Sequence, residues 1–228
     1  MPADAPALRK RAARPRDAAT LILTRGTGAE AALLMGRRHE GHRFMPGMWV
    51  FPGGRIDRAD AYIRPMSPLR PEVAERLAIG CSARRAEALA LAGIRETFEE
   101  TGLRVGRPVP GRTPRAPSPT WAAFMAAGVA PALDMLDYIA RAITPPYRPI
   151  RFHARFFMAD ASHALGEAKP SDELVELRWV PIGEARALEL PRITAIVLDE
   201  IAARLGSPAA RPAPFYSMRH GKSVVAYD

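Results

Sequence analysis

The nine residues Arg95-Glu96-Thr97-Phe98-Glu99-Glu100-Thr101-Gly102-Leu103 decide the reading of this chain. They close a stretch, Ala83 to Thr101, that lacks proline and is dense in Ala, Leu, Glu and Arg, all good helix formers. Gly102 stands where a helix C-cap belongs, so a helix over 83–101 is predicted. On that helix Glu96, Glu99 and Glu100 fall at i, i+3 and i+4, which puts three carboxylates on one face. Like charges at this spacing destabilise a helix unless something neutralises them. Mg²⁺ or Mn²⁺, which prefers carboxylate oxygen and water, does so. Arg95 adds a positive charge able to hold a carboxylate in place. Taken alone, three glutamates in this pattern form a solvated face in most proteins, so the surroundings decide.

Upstream, Met48 to Phe51 reads as a short apolar strand that Pro52-Gly53-Gly54 turns sharply. Six residues beyond Gly54 stands Asp60, and thirty-four residues, Ala61 to Ile94, separate it from Arg95. The two pieces together resemble the Nudix box, G-x5-E-x7-R-E-U-x-E-E-x-G-U, split between its halves. Two departures are plain. Asp60 stands where the family has Glu, and the spacer exceeds the family's seven residues by twenty-seven. A split box after Met45-Pro46-Gly47-Met48-Trp49-Val50-Phe51-Pro52-Gly53-Gly54 is similar to the branch of coenzyme A diphosphatases with long insertions. Thr144-Pro145, Arg151-Phe152, Arg155-Phe156-Phe157, Phe215-Tyr216 and Arg219-His220-Gly221 are similar to that branch too. That branch's coenzyme A signature is only partly visible in Leu21 to Gly54.

The resemblance implies a Nudix-type α/β/α sandwich around a mixed β-sheet, in the α+β class. It also implies metal-dependent hydrolysis of a diphosphate linked to another moiety. The expected substrate is a small-molecule nucleoside diphosphate derivative, coenzyme A or acyl-coenzyme A, giving 3′,5′-ADP and a phosphopantetheine. ADP-ribose, NADH and nucleotide sugars stay open as alternatives, as do a non-catalytic nucleotide sensor and an RNA-processing hydrolase. The expected ligands of Mg²⁺ or Mn²⁺ are Glu99, Glu100 and Glu96, with a backbone carbonyl of Gly53 or Gly54. Arg95 is expected to orient Glu96, and Asp60 to support the loop or the helix. The base is a box glutamate, Glu96 or Glu99, or a later acid, Glu173 or Asp172. Arg37, Arg38 and Arg43 are the candidate substrate-binding residues, since arginine binds phosphate oxygens bidentately. The isolated His42, His153 and His220 read as structural.

Working outward, Ala19 to Thr24 reads as a strand, Gly26 to Gly28 as a turn and Ala31 to Gly36 as the returning strand of a hairpin. Arg37 to His42 reads as a basic loop. Five prolines make 106–119 a loop, and Trp121 to Ile143 reads as two helical pieces broken at Gly128 to Pro131. Strands are expected at Phe152–Met158 and Leu174–Val180, an amphipathic helix at Ile193–Leu205, and a last strand after Pro214. The organisation is then a basic arm over 1–17 and a single domain over 18–228. This domain carries an insertion near 61–82 and a helical segment near 120–143, and the insertion 61–82 and the segment 106–143 are expected as lid or substrate elements.

Composition agrees with a globular chain: 228 residues, 48% hydrophobic, 25% charged, 7% aromatic. The single cysteine, Cys81, excludes an intramolecular disulfide and a cysteine-based zinc site. No apolar run approaches the roughly 20 residues of a membrane span, and no signal-peptide core follows the basic start, so a cytoplasmic protein without membrane association is expected. The net charge is +9. Part of it sits in Arg9, Lys10, Arg11, Arg14 and Arg16, but no run alternates basic with aromatic residues, and nucleic acid is not favoured. A homodimer is expected by family analogy alone.

Overall fold

The computed structural model describes residues 12–42, 44–110, 116–207 and 211–228. The strands, in chain order, are β1 (Arg16–Arg25), β2 (Ala32–Arg38), β3 (Trp49–Val50), β4 (Gly53–Arg55), β5 (Arg104–Pro108), β6 (Val129–Pro131), β7 (Asp137–Ile143), β8 (Phe152–Asp160), β9 (Ala164–Leu165), β10 (Leu174–Pro181), β11 (Pro214–Arg219) and β12 (Lys222–Tyr227). The helices are α1 (Pro71–Ala78), α2 (Ala83–Thr101), α3 (Pro119–Met125), α4 (Ile182–Ala185) and α5 (Arg192–Gly206).

Among the described residues the main sheet runs β10-β2-β1-β8-β7-β11-β12, with β3 beside β2 and β4 beside β1. It is mixed: β1 lies parallel to β8 and β7 parallel to β11, while β1–β2 and β7–β8 are antiparallel. A small sheet, β6-β5-β9, stands apart. Side chains alternate across a strand, so β1 feeds two cores. Ala19, Leu21 and Leu23 point to one, where Leu89, Ala90, Ala92 and Ile94 of α2 cover them. Ile22 points to the other, with Leu33, Met35 and Val197, Leu198 and Ile201 of α5. This is the expected sandwich, with α2 and α5 on opposite faces.

Helix α2 has the predicted bounds. Gly102 takes φ +75°, and its amide donates to the Phe98 carbonyl over 2.8 Å, closing the last turn in a conformation that suits glycine. Three readings need correction. The segment 120–143 is not two helices: α3 ends at Met125, and Asp137–Ile143 is strand β7. Five consecutive residues of β7 are buried, so a strand covered on both faces shows no alternation, and its Ala and Arg imitate a helix. Arg37 and Arg38 belong to β2 rather than to a loop, because β10 pairs with them through Glu176 and Leu174. The arm expected over 1–17 gives way to strand at Arg16. The Arg16 amide donates to Arg151, and Asp17 is held by Arg85 and by Arg155 at 2.8 Å. Residues 1–11 lie outside the described residues. No described helix is long and apolar enough to cross a membrane.

Candidate active site

Strand β4 pairs antiparallel with β1, setting Gly54 opposite Ala19 and Gly53 opposite Thr20. Both glycines are needed for closeness. A Cβ on Gly53 would lie 2.5 Å from the Ala19 carbonyl oxygen and 2.7 Å from Thr20 Cα. A Cβ on Gly54 would lie 2.5 Å from the Glu96 carboxylate. The turn thus brings its backbone directly under the acidic face of α2. The Gly53 amide donates to Glu100 Oε2 over 2.9 Å. Glu100 is 4% exposed, and its Oε1 is buried with no hydrogen-bond partner.

Arg95 organises the rest. Its Nε and Nη2 donate to the two oxygens of Asp60 at 2.8 and 3.1 Å, and Nη2 also donates to the Arg55 carbonyl at 2.8 Å. Nη1 donates to Glu96 Oε1 at 2.9 Å and to Glu99 Oε2 at 2.8 Å. All five donors of the guanidinium are therefore satisfied. Asp60 is fully buried, yet four donors meet its carboxylate: Arg95 twice, the Asp57 amide at 2.8 Å and Trp121 Nε1 at 3.0 Å. Asp57 and Asp60 form a reciprocal capping box on the 3₁₀ turn Arg58–Tyr62. The shorter Asp, where the motif expects Glu, thus sits in a turn that carries it to the guanidinium. Burial works against the charge of Arg95, but Asp60, Glu96 and Glu99 more than offset it and hold the group protonated more firmly than free arginine.

Burial pushes Glu96 up to about 7 against the pull of Arg95, with Glu99 and Glu173 adding to the rise. It pushes Glu100 well above the usual carboxylate range, helped by the charges of Glu173 and Glu96 and opposed by the Gly53 amide and Arg38. The field of Glu173 thus reaches both. Glu173 precedes β10 and is fixed by Arg38 Nη2 at 2.9 Å and His42 Nε2 at 3.3 Å. His42 Nδ1 lies 2.7 Å from Arg38 Nη1, 2.9 Å from the Phe44 carbonyl oxygen and 3.2 Å from the Phe44 amide nitrogen, so the ring is held between Arg38, Glu173 and the Phe44 backbone.

The sequence candidates therefore separate. Glu96, Glu99, Glu100, Arg95, Asp60, Gly53 and Gly54 come together, with Glu173 at their edge. Asp172 is exposed. Arg38 is buried in its pair with Glu173, and half-exposed Arg37 lies 3.4 Å from Glu40 and 3.7 Å from Glu176. Arg43 lies outside the described residues. The site also takes in His42, which the sequence reads as an isolated structural histidine, and Thr120 and Trp121, which the sequence did not mark. Thr120 Oγ1 donates to Glu99 Oε1 over 2.7 Å. Nothing local marks these residues, since Trp121 is sixty-one positions from Asp60. A cavity of about 470 Å³ lined by Arg14, Arg16, Asp17, Arg85 and His153 lies near the other end of α2 and holds none of these carboxylates.

Among the described residues no three acidic, His or Cys side chains are gathered around one point. Arg95 Nη1 donates to both Glu96 and Glu99. The residues still fit a divalent cation, because three carboxylates share one helix face and the buried Glu100 Oε1 has no protein partner.

A structure of a NUDIX hydrolase from Alicyclobacillus acidocaldarius matches with 30% identity and a TM-score of 0.66, covering 86% of this chain and 94% of that one. A mutator MutT protein from Bacillus halodurans matches at 16% identity and a TM-score of 0.50, over 93% and 97%, and shares the fold. The family model for the NUDIX domain matches residues 14–201. That span runs from the residues before β1 into α5, and the whole Gly53 to Glu100 cluster lies inside it. This chain belongs to the Nudix family and is a Nudix hydrolase.

Proposed function

We propose that the protein hydrolyses the diphosphate of coenzyme A or an acyl-coenzyme A, using Mg²⁺ or Mn²⁺ held by Glu96, Glu99 and Glu100. Hydrolases of this family act on nucleoside diphosphate derivatives and generally use divalent metals. The observation that carries the metal reading is Glu100, whose Oε2 is fixed by the Gly53 amide while Oε1 is buried without a partner. A burial this costly for a carboxylate is relieved by a cation. A divalent cation in this place neutralises diphosphate oxygens and lowers the pKa of water. Arg95 orients Glu96 and Glu99, and Asp60 holds Arg95. Glu96 and Glu173, the latter fixed by Arg38 and His42, are the two acids placed to take a proton from water.

The coenzyme A part rests on the long box insertion and on the later stretches similar to that branch, including Arg151-Phe152 and Phe215-Tyr216. The test is a hydrolysis screen with Mg²⁺ and Mn²⁺, read by mass spectrometry. It covers coenzyme A, acyl-coenzyme A esters, ADP-ribose, NADH and a nucleotide sugar. Release of 3′,5′-ADP and a phosphopantetheine is expected. Cleavage of ADP-ribose or NADH alone would discard the substrate and keep the chemistry.

A further inference from the structure

Glu99 is the most exposed of the three helix glutamates: its side chain is 36% exposed, against 14% for Glu96, and Glu100 is buried. It is the member freest to turn, yet both its oxygens are engaged, Oε2 by Arg95 and Oε1 by Thr120. Arg95 cannot follow Glu99, because Asp60 and the Arg55 carbonyl grip its other side. Thr120 is the removable partner. Its position is not accidental to a mobile loop. The next residue, Trp121, is fully buried and donates to Asp60. Its ring meets Phe124 edge-on at 5.2 Å, and Phe124 meets Phe98 of α2 at 5.4 Å. Helix α3 is thereby locked to α2, and the Thr120 hydroxyl is delivered to Glu99 by a fixed support.

We propose that Thr120 is a positioning residue that sets the cation affinity of the cluster by holding Glu99 Oε1. This rests on the divalent-cation reading above. A cation drawing on Glu99 Oε1 competes with the Thr120 hydroxyl for the charge and the orientation of the same oxygen. Loss of that hydroxyl therefore tightens cation binding, whereas loss of an ordinary supporting contact would weaken it. A net hydrogen bond of the usual strength corresponds to about a two- to tenfold change in affinity.

The experiment is Mn²⁺ binding to the full chain without substrate, read by the electron paramagnetic resonance signal of free Mn²⁺. It compares the wild type, Thr120→Val and Thr120→Ser, each checked for fold by circular dichroism. Tighter binding by Thr120→Val, with Thr120→Ser like the wild type, is expected. Unchanged or weaker binding by Thr120→Val, in a series whose wild type binds Mn²⁺, overturns the latch and leaves the metal reading standing. Equal tightening by Thr120→Ser overturns it too, because the hydroxyl is then not the cause. No Mn²⁺ binding by the wild type removes the metal reading and the latch with it.

Discussion

A side chain on Gly54 and the carboxylate of Glu96 would claim the same space: a Cβ there would stand 2.5 Å from the carboxylate carbon. Gly53 is equally crowded, but by backbone, since its Cβ would meet the Ala19 carbonyl oxygen and Thr20 Cα. The two neighbours should therefore fail differently. In Gly54→Ala the flexible end of Glu96 can move aside, so the melting temperature stays near wild type while turnover falls by an order of magnitude or more, on the scale of a misplaced catalytic group. In Gly53→Ala the strand itself must shift, at about 1–3 kcal/mol. Thermal melts and initial rates on both variants check the contrast, and equal loss of stability in the two would contradict it.

Glu100→Gln keeps an oxygen to accept from the Gly53 amide and removes a buried charge. Turnover should fall by about a hundredfold or more, the scale of several kcal/mol of lost charge stabilisation. The unliganded protein should melt no lower than the wild type at pH 8. A variant that keeps its rate would remove Glu100 from the site.

The Asp60–Arg95 pair predicts a large stability effect. Asp60→Ala leaves a buried guanidinium with two of its five bonds missing and Trp121 Nε1 without its acceptor. Breaking a buried pair from one side costs about 3–5 kcal/mol. Urea unfolding of Asp60→Ala measures it. A loss within about 0.5 kcal/mol, the range of ordinary surface substitutions, would mean the pair does not anchor the helix.

Glu96 carries a pH prediction. Burial raises it from the ordinary 4.5 to about 7 in the folded protein. Its contribution to stability is then fully present below pH 4.5 and is lost as pH rises through 7, because the unfolded chain gives up the proton first. A cation needs the ionised form, so stabilisation by Mn²⁺ should grow over the same rise. Melting curves with and without Mn²⁺ at pH 6, 7 and 8 should diverge with pH, and Glu96→Gln should reduce the divergence. A wild-type shift independent of pH would contradict the assignment.

The legible parts of this protein were those written in consecutive residues. Helix α2, its Gly102 cap and the facing of Glu96, Glu99 and Glu100 follow from helical spacing alone. The Phe51 to Gly54 turn and Asp60 could be read because a motif links them to α2 across the insertion. Strand β7 could not, since burial on both faces erases the period of two. Thr120, Trp121 and the pairing of His42 with Arg38 and Glu173 were invisible for a different reason. Each depends on where the fold places a neighbour distant in sequence, which no local pattern encodes. Arg38 read as a phosphate binder because its charge is evident in the sequence, while Glu173, which neutralises it, lies 135 positions away.

The insertion between Asp60 and α2 bears on how the molecule moves. Closing thirty-four residues instead of seven as a bare flexible loop would cost only about 1.4 kcal/mol. The inserted chain does more than span the gap. Ile63, Leu69, Val73 and Leu77 are buried in the core that underlies α2. Burying each such side chain is worth about 1.5–3 kcal/mol, so together they outweigh the closure several times over. Swinging this segment away would strip four apolar side chains from the floor beneath the carboxylates. A segment anchored in this way is a wall rather than a door.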